Sequence, residues 1–113
     1  EASQMVRLLK AVGSPALKGL ADTDVIATTG VDTFETFISM LGKDNLAHVH
    51  FVDGNPGGHL ALGDGALELD RSLEFLKTID YQGYLGLEIL DRRYVMDPES
   101  AMKTSFEWYK NRI

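Results

Sequence analysis

The chain has 113 residues, 44% hydrophobic and 25% charged, with three histidines, no cysteine and a formal net charge of −6. Length and composition suit one small globular domain or a piece of a larger one, and no run of about 18 apolar residues occurs, which excludes a membrane-spanning helix. The acidic balance argues against a surface built to neutralise phosphates, the one close arginine pair being Arg92–Arg93; the lack of cysteine removes disulfides and thiolate metal sites and, with no signal-peptide pattern at the start, leans towards a cytoplasmic location.

In chain order, Met5, Val6, Leu8, Leu9 and Val12 recur at helical spacing, which predicts a helix over 3–12 stopped by Gly13. Residues 17–22 read as a short strand, followed by a loop at Thr28-Thr29-Gly30. Asp32 reads as the N-cap of a helix over 32–41, with Glu35 returning the capping box and Phe34, Phe37, Ile38 and Leu41 as its apolar face. A strand over 46–52, a helix over 70–79 and a strand over 84–90 follow. Asp97-Pro98, an N-cap and a first-turn proline, opens a last helix over 98–112.

The order α-β-α-β-α-β-α implies parallel strands joined by right-handed crossovers, so the expected class is α/β, built of parallel βα units over one segment, 1–113. Three such strands with helices on one side leave a face and both edges bare. Two architectures fit: a complete small doubly wound domain, or part of a TIM (β/α)₈ barrel, which needs about 250 residues when whole.

Asp22, His50 and Glu88 fall near the C-terminal ends of the three predicted strands, where parallel α/β folds bind ligands. Alternation puts His48 and His50 on one strand face, and Glu88 on the face it shares with Tyr84 and Gly86. A carboxylate among the aliphatics of YLGLEIL is costly to desolvate alone, so a positive partner is expected: a metal ion, a neighbouring histidine, or an arginine such as Arg92. Asp, His and Glu form a mixed nitrogen and oxygen set that suits Mn²⁺, Mg²⁺, Co²⁺ or Zn²⁺. Taken singly, an aspartate after a strand also serves as a turn or N-cap residue, and a strand histidine is often satisfied locally. His59 sits in GNPGGHLALGDG, whose glycines let backbone approach a ligand, while Asp53 and Asp64 read as turn caps.

These residues carry a resemblance. LADTDV, LAHVHFVDGNPGGHLALGDG and YQGYLGLEIL resemble the C-terminal part of the sugar phosphate isomerase/epimerase family, the xylose-isomerase-like TIM barrels. The nearest members in pattern are ketose 3-epimerases such as tagatose/psicose 3-epimerase and fructoselysine 3-epimerase. The resemblance implies the last three βα units of a barrel. It implies Asp22, His50 and Glu88 as metal ligands, most naturally of Mn²⁺, with Glu88 also a catalytic acid/base, and His59 as a substrate-binding residue. The implied reaction is epimerisation of a ketose, or a ketose derivative, at C3 through an enediolate.

Departures matter too. Where the epimerases have a sugar-holding histidine and arginine, this chain has Val25 and Pro56, so a different sugar is expected. The strand-five glutamate of the family has no counterpart here, since Glu1 precedes a helical stretch, and the 113 residues alone are expected to be inactive. An aldose–ketose isomerase uses the same scaffold. An abasic-site endonuclease would need a basic groove that the net charge disfavours. A non-catalytic, self-associating half-barrel is the rival from outside enzymology. The expected partners are therefore a small sugar and either a second copy or the rest of the barrel, with no nucleic acid and no membrane.

Overall fold

Three parallel strands form one sheet in the computed structural model, which describes residues 1–113. β1 (Gly19–Asp22), β2 (Leu46–His50) and β3 (Leu85–Gly86) lie side by side in chain order, with Asp22 opposite His50 and His50 opposite Gly86. Around them run α1 (Ala2–Val12), α2 (Thr23–Thr29), α3 (Phe34–Leu41), α4 (Leu69–Thr78) and α5 (Pro98–Lys110). This is an α/β partial TIM barrel: three strands and their crossover helices, too few to close a wall of eight.

Strand alternation decides the two faces of the sheet. Ala21, Val49 and Phe51 point outward and are buried with Ile38 and Leu41 of α3 and Leu73 and Leu76 of α4. Leu85, Leu87, Trp108 and Tyr109 pack against that cluster from its margin. Burial of each of these side chains larger than alanine contributes about 1.5–3 kcal/mol. Close approach needs glycine at position 19, where a Cβ would meet Leu41 and the Met5 sulfur at 2.7 Å. The other face carries Leu20, Asp22, His48, His50, Tyr84 and Gly86, and no helix covers it: Leu20 is 39% and Tyr84 81% exposed. A complete doubly wound domain would cover both faces; this one is half-clad.

Several local features differ from the sequence-based expectations, each for a physical reason. The strand expected over 17–22 begins at Gly19, because the N–H of Leu17 donates to Ser14 O at 3.2 Å and closes a turn. The loop expected at Thr28-Thr29-Gly30 is the end of α2, whose β-branched composition (Thr23, Val25, Ile26, Thr28, Thr29) hides its helicity. Asp22 caps it, accepting from Val25 N at 2.8 Å, and Gly30 stops it at φ 64°. Asp32 is not the cap of α3; Thr33 is, accepting from Thr36 N at 3.1 Å. Asp32 Oδ2 instead accepts from Ala2 N at 2.9 Å at the start of α1, and Glu35 pairs with Arg71 at 3.1 Å.

β2 ends at His50 rather than 52, because Val52 N donates to the Thr23 hydroxyl and Asp53 turns to bridge Leu60. The strand expected over 84–90 is paired only at Leu85–Gly86, since its neighbour has already turned away. α4 spans Leu69–Thr78 and α5 ends at Lys110, each within two residues of expectation. No helix is long and apolar enough to cross a membrane.

Candidate metal centre

The uncovered face ends at a rim where three strands deliver polar groups. Asp22 closes β1, His50 closes β2, and Glu88 lies two residues beyond β3. One donor atom from each lies within 4.8 Å of the other two. His50 Nδ1 is 3.4 Å from Asp22 Oδ2 and 3.0 Å from Glu88 Oε2. Asp22 divides its labour: Oδ1 caps α2 through Val25 N, which turns Oδ2 towards the rim. The cap and ligand readings of this aspartate are thus compatible, one oxygen each.

His59 joins from the loop after β2. Its Nε2 lies 3.2 Å from Asp22 Oδ2 and 3.4 Å from Glu88 Oε2, so two imidazoles and two carboxylates alternate around one small space. Glu88 faces these histidines rather than Arg92, and the neighbouring Arg93 pairs with Asp91 at 3.2 Å. The set fits a divalent cation on its chemistry. All the donors are nitrogen or carboxylate oxygen, and their spacings of 3.0–3.4 Å match the edges of a polyhedron with metal–ligand bonds of roughly 2.0–2.2 Å. Without a cation, only histidine N–H groups or added protons can stand between these acceptors.

His48 does not reach the rim. It stands edge-on to His50, ring centroids 5.2 Å apart, and fills the space over Gly86, where a Cβ would come within 2.7 Å of its Nε2. A side chain at position 86 would therefore have to displace the His48 ring.

The loop that carries His59 is built rather than loose. The carboxylate of Asp53, 3% exposed, accepts from Gly54 N and Leu67 N through Oδ1 and from Gly63 N and Gly65 N through Oδ2, all at 2.8–3.1 Å. Asp53 is thus a turn organiser, not a ligand. Leu62 N donates to the buried Ser105 hydroxyl of α5 at 3.0 Å. The Tyr94 hydroxyl accepts from Ala61 N at 3.1 Å and donates to Asp64 Oδ2 at 2.7 Å. Desolvation, then the bond to the Asp64 carboxylate, hold the Tyr94 phenol above its ordinary pKa. On the other side of the loop, Asp24 of α2 binds Gly57 and His59. Sequence reasoning missed Asp24, Ser105 and Tyr94. The one available signal was a second acid, Asp24, inside the otherwise uncharged TDVIATT.

Parallel βα units that gather carboxylates and imidazoles at their strand ends define a class, the barrel enzymes that work at the C-terminal rim. The chain matches the xylose isomerase-like TIM barrel family over residues 1–112 and belongs to it. That family includes isomerases and epimerases. No curated protein matches the chain.

Proposed function

We propose that the protein belongs to a divalent-metal-dependent isomerase that epimerises a ketose, or a ketose derivative, at C3, with Mn²⁺ the first choice of ion ahead of Mg²⁺, Co²⁺ or Zn²⁺. The observation that carries this reading is the convergence of Asp22, His50 and Glu88 donor atoms within 4.8 Å at the sheet's C-terminal rim. Those three residues hold the ion, which when bound would supply polarisation of the ketone oxygen next to the reacting carbon.

Glu88 is also the acid/base. Its side chain is 41% exposed, against 8% for Asp22, so it faces the open side where substrate enters. Its carboxylate takes the proton from the carbon beside the ketone, or returns one to it. His59 binds a substrate hydroxyl through Nε2. Val25 stands with Leu20 in the cavity beside Asp22 and His50, an apolar contact in place of the histidine of the known epimerases, which supports a different sugar.

Inversion requires a second proton-transfer group on the opposite face of the substrate. The resemblance assigns that group to a glutamate on an earlier strand, so the 113 residues alone are not expected to turn over. Further barrel strands, from the same protein or a second copy, would cover the sheet's bare edges and uncovered face; the remaining partner is a small sugar, not nucleic acid or membrane.

Calorimetric titration with Mn²⁺ tests the ligand set. The wild-type chain should bind, and Asp22→Asn or His50→Ala should weaken binding about tenfold or more. A wild-type chain that binds no divalent ion, or variants that bind equally, would overturn the reading. With the remaining strands supplied, NMR in D₂O should show deuterium entering at C3 with inversion; carbonyl migration instead would make it an aldose–ketose isomerase.

A further inference from the structure

Asp24 has no part in the chemistry above, yet it is one of the most buried polar side chains in the molecule, 1% exposed. Its carboxylate reaches across to the loop: Oδ1 accepts from Gly57 N at 2.5 Å and Oδ2 accepts from His59 N at 3.0 Å. Oδ2 also lies 3.0 Å from His59 Nδ1. Gly54 backs the carboxylate so closely that any side chain at position 54 would collide with it. His59 itself has φ 48°, in the left-handed region where a non-glycine residue is held at a cost of order 1–3 kcal/mol. The group that grips both its backbone N–H and its ring is Asp24.

Both ring nitrogens face carboxylates, which can only accept; Asp24 is the nearest, at 3.0 Å against 3.2 and 3.4 Å, and the most deeply buried, which favours the ring proton of a neutral His59 on Nδ1. That leaves Nε2 as a lone pair, and Nε2 is the atom that faces Asp22 Oδ2 and Glu88 Oε2 at the rim. Carboxylate, imidazole and site stand in line, the arrangement by which an outer carboxylate fixes an inner imidazole's tautomer and aim.

We propose that Asp24 is the positioning residue of this site: it locks His59 in the Nδ1–H tautomer and in its left-handed backbone conformation, so that the Nε2 lone pair is always presented beside Asp22 and Glu88. The role is additional to the ligand reading of Asp22, His50 and Glu88 and rests on that reading only for its effect on Mn²⁺ binding. Asp24 acts through His59 and touches nothing that reacts.

Long-range ¹H–¹⁵N correlation spectra of the metal-free full chain at about pH 9, above the ordinary imidazole range, read the tautomer directly. Wild type should show His59 with a protonated Nδ1 and a bare Nε2. A predominantly Nε2–H ring would overturn the proposal, whatever the variants do. In Asp24→Asn, which can donate to Nδ1, the Nε2–H form should appear and donate to the Asp22 and Glu88 oxygens, and competition for those oxygens should lower Mn²⁺ affinity about tenfold. Because Asp24 works through His59, the double variant Asp24→Asn/His59→Ala should bind Mn²⁺ no more weakly than His59→Ala alone; additive losses would show a merely structural role and refute the assignment. Failure of wild type to bind Mn²⁺ would count against the metal reading, while the tautomer would still judge Asp24.

Discussion

Replacing Asp53 by asparagine should cost the chain roughly 2–3 kcal/mol, and the reasoning turns on which hydrogen bonds an amide can keep. The Asp53 carboxylate accepts four backbone N–H groups, two on each oxygen. Asparagine has one oxygen, so one pair of donors must face an NH₂ group instead. The cheaper orientation keeps the oxygen on the buried Gly54 N and on Leu67 N and gives up Gly63 N and Gly65 N. A buried donor left unpaired costs about 1–3 kcal/mol, and Gly63 lies at the surface, where water can serve it, so the loss sits towards the low end. Asp53→Ala removes all four acceptors at once and should cost more, about 4 kcal/mol or above. Urea unfolding with linear extrapolation measures both. A loss below about 1 kcal/mol for Asp53→Asn, or equal losses for the two variants, would refute the account of Asp53 as the loop's organiser.

Two further outcomes are expected. Gly86→Ala should displace the His48 ring, since the added Cβ comes within 2.7 Å of Nε2; because the half-buried ring can swing aside, the cost should sit at the low end of overpacking, about 1 kcal/mol. Adding His48→Ala should recover most of that loss in the same unfolding assay, and no recovery would mean that the clash lies elsewhere. Tyr94, whose phenol is raised first by burial and then by Asp64, should ionise later than an ordinary tyrosine on ultraviolet titration. A folded pKa above the unfolded value of about 10 means that its contribution to stability is complete below pH ~10 and fades as pH climbs through the folded value. Tyr94→Phe should flatten that alkaline decline, and an unchanged pH profile would remove Tyr94 from the account.

The rim was legible in the sequence because two simple periodicities place it. Period-two alternation puts His50 and Glu88 on one face, and the βα order puts Asp22, His50 and Glu88 at equivalent ends of parallel strands. Where local preference and tertiary context disagree, the sequence misleads. α2 is built of β-branched residues that favour strands, and its helical state comes from the Asp22 cap, the Gly30 stop and burial of Ile26. Asp32 and Thr33 are both good cap residues one position apart, and the contact from Asp32 to Ala2 N, 30 residues away, settles which of them caps. The partners of Asp24 were hidden for the same reason: they are 33 and 35 residues downstream, on a loop whose return path no local pattern encodes.

The brevity of β3 ties occupancy to architecture. Its ladder to β2 holds two residues, and beyond Gly86 the segment is moored by the Glu88 carboxylate between two imidazoles and by Leu90 N donating to His59 O at 3.0 Å. An ion held between those side chains would therefore also clasp the final strand to its neighbours, and an affinity measured at the rim would contain the free energy of docking that strand. Cargo and scaffold would then share one equilibrium.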